Sequence, residues 1–585
     1  REAREKGFSL AVPVSELETA TEQVSEQEAE SIEEREPELK TMSLLDLVDA
    51  AEKLAAPEQA AEAYKVAVAS NAEKILLLPL EEVRALLEDE AVPKRVHDLK
   101  GLLRALESRG VALRGVRDDL MLYSYLINPT HASHRLSDVA ARFSQYPLRE
   151  AGDGLLLESA HAVESLAPVL REDVKALEAT KVYETIDLPL VPVLLRMERA
   201  GVRIDTGALH AMSEKLAKEI GRVSEEIYAC CGHRFNINSP KQLGDVLFNK
   251  MNLPKPMKYG KGKVVSTAQD VLEELAAHHD APRMVLEFRQ LAKLKSTYVD
   301  TLPLLADSEG RVHTTFNQVG TATGRLSSTN PNLQNIPIRT ELGREIRAAF
   351  IAAPGDTLLS ADYSQIELRL MAHFSGDPLL TRAYATGQDI HTLTASEVFG
   401  IAPEAMSKET RNRAKAVNFG IVYGISPFGL AQQLGIEQHE ARLYIETYFE
   451  RYKGVREFID RLLEGTRREQ KVRTMFGRAR PIPDIQSRNA NLRGFAERTA
   501  VNTPLQGSAA DLIKLAMIRI DRLLAEKKLK ARMTLQVHDE LLFDVPEAEV
   551  DEVRELVRHE MENVIQLSVP LVADVGVGPN WRDLD

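Results

Sequence analysis

The stretch from Met533 to Val545 is the feature that most restricts how this chain can fold. Two β-type runs are separated only by a tight polar turn at His538 and Asp539, and strands joined so closely pair as an antiparallel hairpin. Asp539 and the adjoining Glu540 are therefore expected at a hairpin tip, where two acidic side chains repel each other unless a divalent cation neutralises them. An ordinary polar turn, for which Asp is a favoured residue, is the alternative.

A second acidic position lies where a strand is expected to give way to a helix. After Asp356 a short β run ends near Ser364, and apolar residues then recur at helical spacing. Asp362 falls at the end of the strand, where a carboxylate can hold a metal ion at the rim of a sheet. Taken alone, an Asp at such a junction is more often a cap or turn residue.

A third pattern places cations and aromatic rings on one face of a helix. Four residues recur at intervals of four, which forms a single stripe at about 100° per residue: Arg411, Lys415, Phe419 and Tyr423. A nucleoside triphosphate would use both kinds of side chain, because cations bind phosphates and rings pack on sugar and base. An amphipathic helix whose cations extend along apolar surface is the alternative.

The composition indicates a large protein without excluding a nucleic-acid partner. The net charge is −14, but residues 1–50 hold 14 acidic and 5 basic residues, which leaves only −5 for the rest. A nucleic-acid footprint depends on where basic residues cluster rather than on the total.

No apolar run is long enough to cross a bilayer. The chain starts at Arg1 without a signal segment, and its only cysteines are Cys230 and Cys231, which favours a fragment from a reducing cytoplasm.

The pattern along the chain divides it into several regions. Residues 1–41 are predicted to be an acidic linker, and residues 42–175 alternate short β-type and helical runs, as in a compact α/β domain. Residues 176–300 are mainly helical. Between these helices, lysines in a glycine-containing loop could follow a phosphate backbone or could simply be solvated: Lys258, Lys261 and Lys263.

Five motifs in order resemble those of family A DNA polymerases, the group that contains bacterial polymerase I. Three are the family's signature segments: Asp362-Tyr-Ser-Gln-Ile-Glu-Leu-Arg, then Arg411-x3-Lys415-x3-Phe419-x3-Tyr423-Gly, and Val537-His-Asp-Glu. Residues 323–337 resemble the primer-template segment, and residues 498–507 resemble the template-side segment. The resemblance covers about 180–585 well and the preceding domain loosely.

The resemblance implies an α+β right-hand polymerase preceded by an α/β exonuclease-like (RNase H-like) domain. It places a thumb at about 180–310, a palm at about 311–374 and 491–585, and fingers at about 375–490. The implied activity is template-directed extension of a primer 3′ end with deoxynucleoside triphosphates, in DNA replication and repair. Primer-template DNA and the triphosphates would be the partners of a monomeric protein located in the cytoplasm with the nucleoid.

Family members use two Mg²⁺ ions, for which Mn²⁺ can substitute. The resemblance assigns these ions to Asp362, Asp539 and the backbone of Tyr363, with Glu540 in support and Lys415 as an acid for the pyrophosphate. The nucleotide positions are Arg411, Lys415, Phe419, Tyr423, His391, Glu367 and Gln365. The DNA positions are Arg325, Asn335, Gln334, Arg498, Asn502, Gln506 and His538, together with the loop lysines.

Several of these positions carry a more specific expectation. The matching Glu in the family closes the pocket against a 2′-hydroxyl, so Glu367 favours DNA over RNA synthesis. Phe rather than Tyr at Phe419 predicts poor use of dideoxynucleotides. A helix start with a capping box is also predicted at Thr503, Pro504 and Gln506. This would give Gln506 a structural role that competes with DNA contact.

The resemblance also implies that the front domain has lost the residues that proofreading requires. No Asp-x-Glu pair occurs before residue 176, Leu102 stands where the family has a second metal-binding Asp, and the last motif aligns loosely with Leu156 and Ala160. Two metal ions cannot be held without carboxylates, so we predict a vestigial, structural domain. A catalytically inactive DNA-binding protein on the same fold and an RNA polymerase of the same family are the alternatives.

Overall fold

The computed structural model describes residues 6–13, 64–144, 148, 152–254, 266–402 and 405–584. The loop lysines Lys258, Lys261 and Lys263, and most of the region predicted as a linker, lie outside these residues. Within the described part, no helix is both long and apolar enough to cross a membrane.

The front domain is built on a five-stranded mixed sheet. Its strands lie in the order β3-β2-β1-β4-β5, with β1 antiparallel to β2 and parallel to β4. The strands are β1 Phe8–Ala11, β2 Lys65–Asn71, β3 Lys74–Pro79, β4 Lys94–Val96 and β5 Val116–Asp119; the helices are α1 Leu80–Glu88, α2 Leu99–Glu107, α3 Leu120–Ile127, α4 Leu136–Phe143 and α5 Gly152–Ala176.

Residues 8–11 correct the prediction of a linker over residues 1–41. They form β1, the central strand of the sheet, in which Phe8 and Leu10 are fully buried. Because the surrounding sequence is strongly acidic, its charge obscured a short, mainly apolar run that is long enough for a buried strand.

The helical region that follows has a small core of its own. Val223 and Ile227 pack against Leu272 and Val285 from two later helices. The elements are α6 Thr180–Val182, α7 Leu188–Ala200, β6 Val202–Arg203, α8 Thr206–Cys231, α9 Pro240–Asp245, α10 Gln269–Ala276, α11 Asp280–Leu294 and α12 Leu302–Leu305, with π-helical turns at Tyr183–Asp187, Val246–Lys250 and Lys295–Val299.

A four-stranded antiparallel sheet forms the centre of the rest of the chain. Its order is β13-β14-β10-β15, from β10 Asp356–Tyr363, β13 Arg532–Val537, β14 Glu540–Pro546 and β15 Ala573–Gly578. The short strand β7 Arg311–Val312 pairs with β6, and β8 Thr315–Asn317 pairs with β9 Ser327–Thr329. The accompanying helices are α13 Glu341–Ala348, α14 Ile366–Ser375, α21 Ala490–Glu526 and α22 Val550–Glu562, with a 3₁₀ turn at Glu547–Glu549.

A mainly helical lobe is inserted between α14 and α21. It packs on the same large core as the central sheet, through residues such as Val417, Leu430 and Tyr448. Its elements are α15 Pro378–Ala385, α16 Ile390–Phe399, α17 Lys408–Val422, α18 Pro427–Leu434, α19 Gln438–Arg451, α20 Lys453–Glu469, β11 Lys471–Arg473 and β12 Ala479–Pro481, with a 3₁₀ turn at Pro483–Gln486.

The predicted helix start at Thr503 is wrong. α21 runs without interruption through Pro504, so Gln506 closes no capping box. The Thr503 hydroxyl instead donates to the Thr499 carbonyl at 2.7 Å, a bond that lets Thr sit inside a helix. Both Thr503 and Pro504 are buried, and this tertiary packing offsets the backbone hydrogen bond that Pro removes.

Candidate active site

Two acidic positions that are far apart in sequence meet at one edge of the central sheet. Asp362 is the penultimate residue of β10, as predicted, and the hairpin β13–β14 turns at His538 and Asp539 with His538 at φ +56°. The Tyr363 amide donates to the Asp539 carbonyl at 3.2 Å, which fixes the hairpin tip beside the end of β10. The hairpin and strand-end predictions are both confirmed.

Asp362 has acidic neighbours on both adjacent strands. Its register partners are Glu540 on β14 and Asp574 on β15. Desolvation raises the pKa of Asp362 to about 7, and repulsion from Glu540, Asp539 and Asp574 adds to the effect. Burial also raises the pKa of Asp539, although Arg325 opposes it. Clustered carboxyl groups of this kind are stabilised electrostatically when a bound cation takes the place of their protons.

The donor set at this edge fits a hard divalent cation. Among the described residues no group of three or more His, Cys, Asp and Glu side chains forms a closed metal site. Mg²⁺ is usually held by one or two carboxylates together with waters and substrate phosphates, so Asp362 and Asp539 are a suitable pair. Asp574 was not predicted as a site residue. The sequence pattern that could have indicated it is an acidic residue inside a short β-type run.

Glu540 is engaged with the protein rather than free to bind. Its Oε1 accepts hydrogen bonds from the Ser360 hydroxyl at 2.6 Å and the Trp581 indole at 2.9 Å. The Arg347 guanidinium lies 3.8 Å from its Oε2 and stacks over the Trp581 ring at 3.8 Å. These contacts suit a residue that supports the turn beside Asp539.

A buried carboxylate lies near the acidic pair. Glu367, in the first turn of α14, is 4% exposed, and its Oε1 accepts from the Arg325 guanidinium at 2.8 Å. Burial raises the pKa of Glu367, while the Tyr423 hydroxyl and Arg325 oppose the shift. Arg325, Glu367 and Tyr423, predicted from three separate motifs, therefore form one cluster.

The predicted stripe lies on α17 and its C-terminal cap. The rings of Phe419 and Tyr423 are stacked with centroids 6.2 Å apart. The Lys415 amine lies 6.0 Å from the Phe419 ring centroid, and the His391 ring lies 6.0 Å from the same ring. Lys415 and Tyr423 are exposed, so a cation and an aromatic ring are both open to a ligand.

Arg411 is held by an acidic residue that the sequence did not single out. Its Nε donates to Asp389 Oδ2 at 2.5 Å, and Asp389 also accepts from the His391 amide at 2.9 Å as the N-cap of α16. Burial lowers the pKa of His391 to about 4, and its Nδ1 contacts Asn418 Nδ2 at 3.0 Å. His391 is therefore neutral at physiological pH and can offer a hydrogen bond but no charge.

The remaining predicted contacts are spread over several elements. Gln334 donates to Gln536 at 3.1 Å, and Gln365 accepts from the Tyr384 hydroxyl at 3.2 Å. Of the predicted DNA residues that the structure describes, three are exposed: Asn335, His538 and Arg498. Arg498 lies against Gly424, since a Cβ added to Gly424 would be 3.0 Å from the Cγ of Arg498. The template-side helix α21 therefore adjoins the end of the α17 stripe. Asn502 and Gln506 are half-buried on α21.

The front domain is apolar where its nuclease motifs were expected. Leu156 and Ala160 of α5 pack with Ala11, Ala67 and Ala69 of the sheet in one buried cluster. Leu102 is 3% exposed and belongs to the main core of the domain.

The central antiparallel sheet with its carboxylates, the inserted helical lobe and the RNase H-like domain in front define the class of right-hand nucleic-acid polymerases. The chain belongs to DNA polymerase family A, whose family model matches residues 206–583. A second model, DNA polymerase I, ribonuclease H-like domain, matches residues 61–151.

Individual relatives agree with this family. The chain is 44% identical over 519 residues to DNA polymerase I of Geobacillus stearothermophilus, covering 85% of this chain and 59% of the relative. It is 44% identical over 532 residues to DNA polymerase I of Rhizobium leguminosarum, covering 86% and 52%. The chain thus spans between half and three fifths of the length of these two relatives.

A solved structure shares the fold over most of its length. It is the POL domain of Pol1 from M. smegmatis in complex with DNA primer-template and dNTP. The TM-score is 0.83 at 40% identity, and the match covers 88% of this chain and 92% of that chain.

Proposed function

We propose that the protein is a DNA-directed DNA polymerase that extends a primer 3′ end with deoxynucleoside triphosphates on a template. The observation that carries this proposal is the meeting of Asp362 and Asp539 at one sheet edge, next to the Arg325–Glu367–Tyr423 cluster and the α17 stripe. The solved neighbour that holds primer-template and dNTP supports the same assignment.

Asp362 and Asp539 are the proposed metal ligands, with the Tyr363 backbone as a third. Two Mg²⁺ ions, or Mn²⁺ in their place, would supply activation of the primer hydroxyl and neutralisation of the phosphate charge. Glu540 keeps the hairpin turn in position through Ser360 and Trp581.

The stripe on α17 is the proposed triphosphate site. Lys415 is exposed and would bind a phosphate and protonate the leaving pyrophosphate. Arg411 would bind phosphate while Asp389 orients its guanidinium, and neutral His391 would donate one hydrogen bond. Phe419, with Tyr423 stacked beside it, would pack on the sugar and base.

Glu367 is the proposed determinant of sugar choice. Glu367 is buried and held by Arg325, and in the proposed complex it would occupy the space that a 2′-hydroxyl needs. Gln365 lies two residues beyond the end of β10, the strand that carries Asp362, and would support the same pocket. This arrangement favours deoxynucleotides over ribonucleotides.

The duplex is proposed to lie beside the central sheet and α21, over the exposed side chains of Asn335, His538 and Arg498. Arg325, Gln334, Asn335 and His538 would contact the primer end, where minor-groove acceptors are similar for all correct pairs. Arg498, Asn502 and Gln506 would contact the template side. The domain limits expected above, with thumb, palm and fingers around this surface, form part of the same proposal, as do a monomeric state and a cytoplasmic, nucleoid-associated location.

We also propose that the front domain does not proofread. Where the family holds metal ions with carboxylates, this chain has the apolar cluster around Leu156 and Ala160. Metal-dependent trimming of primer 3′ ends by an Asp362→Ala/Asp539→Ala double variant would contradict this proposal, since the polymerase site could not account for it.

A primer-extension assay separates the proposal from its two alternatives. With a labelled primer-template and Mg²⁺, we expect extension with deoxynucleotides and little with ribonucleotides. Efficient extension with ribonucleotides alone would indicate an RNA polymerase of the same family. DNA binding without extension by either nucleotide would indicate an inactive binding protein.

A further inference from the structure

The front domain makes a hydrogen bond to the segment that carries Arg325. Tyr125 on α3 is 1% exposed, and its hydroxyl donates to the Thr321 carbonyl at 2.7 Å. Thr321 lies on the loop between β8 and β9, four residues before Arg325. This loop is thus tied to a domain that is separated from it by almost 200 positions in sequence.

The same loop continues the contact towards the nucleotide pocket. The Thr321 hydroxyl donates to the Arg325 carbonyl at 2.7 Å, and the Arg325 guanidinium donates to Glu367 at 2.8 Å. Tyr125, Thr321, Arg325 and Glu367 therefore form one continuous hydrogen-bonded series. It leads from the front domain to the carboxylate proposed to select the sugar.

A second set of contacts holds the strand at the start of this loop. Lys100 on α2 donates to Glu198 at 2.6 Å and also to the Phe316 carbonyl on β8. Glu198 is 6% exposed, accepts from the Phe316 amide at 2.8 Å, and accepts from Arg104 at 2.5 Å. The front domain thus holds the backbone of β8, and it also holds the loop that follows β8.

Arg478 also contacts this loop and belongs to a buried network of ion pairs. Its guanidinium lies 5.7 Å from the Tyr125 ring centroid and is bound by Asp187 and Asp511 at 2.8 Å. Gly324 packs on it so closely that a Cβ there would be 3.1 Å from Arg478 Cδ. The loop before Arg325 is consequently held between the front domain and a buried ion network.

We infer that the front domain has a positioning function in DNA binding, and that Tyr125 is its principal positioning residue. This inference rests on the proposed polymerase function. It needs no nuclease chemistry in the domain: the domain supports the β8–β9 loop so that Arg325 and Glu367 meet the primer end and the incoming sugar in a fixed arrangement.

Tyr125→Phe tests this function, because it removes only the hydroxyl that bonds Thr321. The matched control is Tyr123→Phe on the same helix, since Tyr123 is also buried but donates at 2.6 Å to Asp118 within the front domain. The measurement is the primer-template Kd from fluorescence anisotropy, with thermal unfolding of each variant in parallel. We expect Tyr125→Phe to weaken binding by up to about fivefold, the limit that the free energy of one hydrogen bond sets, and the control to stay within about twofold of wild type.

A double-mutant cycle tests the route through Arg325. If Tyr125 acts by positioning Arg325, Tyr125→Phe has little further effect on binding in an Arg325→Ala background. Full additivity would overturn the inference, as would equal Kd changes in the Tyr125 and Tyr123 variants. Wild-type protein that neither binds nor extends a primer-template would refute the proposed function first, and the inference with it.

Discussion

Replacing Asp362 by Asn should stabilise the metal-free protein while abolishing its activity. Asp362 pairs with Glu540 and Asp574 on the two neighbouring strands, and the charge of Asp539 also repels it. Side chains directly opposed on neighbouring strands lie about 5 Å apart, where two unit charges repel by about 1 to 3 kcal/mol at effective dielectric values between 80 and 20. Neighbouring atoms desolvate the carboxyl of Asp362, but the residue keeps a surface in contact with solvent, so solvent screening reduces the expected gain to about 1 kcal/mol.

The gain should depend on pH in a defined direction. The folded-state pKa of Asp362 is raised to about 7 from an ordinary value of 3.8. Between these values the folded protein keeps a proton that the unfolded chain has lost, so this carboxyl makes stability fall as pH rises through the window. Asn behaves as the neutral carboxyl does, so its advantage should grow from pH 5 to pH 8.

Differential scanning calorimetry in EDTA measures this effect. A gain of about 1 kcal/mol corresponds to an increase of about 2 to 4 °C in the unfolding temperature of a domain of 150 to 250 residues. We expect this increase at pH 8, and millimolar Mg²⁺ should then raise the unfolding temperature of wild type but not of Asp362→Asn. The control is Asp460→Asn, because Asp460 is an exposed residue of α20 far from the acidic pair in sequence, and it should show no increase. An Asp362→Asn protein that is less stable than wild type at pH 8 would refute the reasoning.

Three further substitutions test individual parts of the site. Phe419→Tyr should raise dideoxynucleotide incorporation relative to deoxynucleotides in a competition assay; an unchanged ratio would mean that the α17 stripe is misplaced. Glu367→Ala should raise ribonucleotide incorporation at least tenfold, measured as the ratio of kcat/KM values, because it opens the space beside the sugar. Gly507→Ala should lower stability by about 1 to 3 kcal/mol and weaken primer-template binding, because its Cβ would lie 2.5 Å from Thr474 and 3.0 Å from the Thr323 carbonyl; unchanged calorimetry would contradict this.

Local sequence patterns predicted the elements that carry the acidic pair. The two-residue turn at His538 and Asp539 allows few conformations, and the change of apolar spacing after Asp362 marks where a strand ends. Neither pattern contains information on distance between segments. The adjacency of Asp362 and Asp539 came only from the family resemblance, and it is produced by strand order in the central sheet.

The features that sequence reasoning missed depend on tertiary packing. Residues 8–11 become a strand because partners on both sides bury them, and helix α21 continues through Pro504 because its environment is buried. Asp389 belongs to the site only because it binds Arg411, and Asp574 only because it pairs with Asp362 on the neighbouring strand. Such pairings have no short-range signal in the chain.

The most direct test of the acidic pair is primer extension by Asp362→Ala and Asp539→Ala variants, with primer-template binding measured on the same preparations. We predict Mg²⁺-dependent extension by wild type and none by either variant, while both variants bind primer-template within about twofold of wild type. The expectation follows from the role of charge neutralisation in phosphoryl transfer, which positioned cations supply. Extension that persists in either variant would contradict the assignment of this pair as the catalytic metal site.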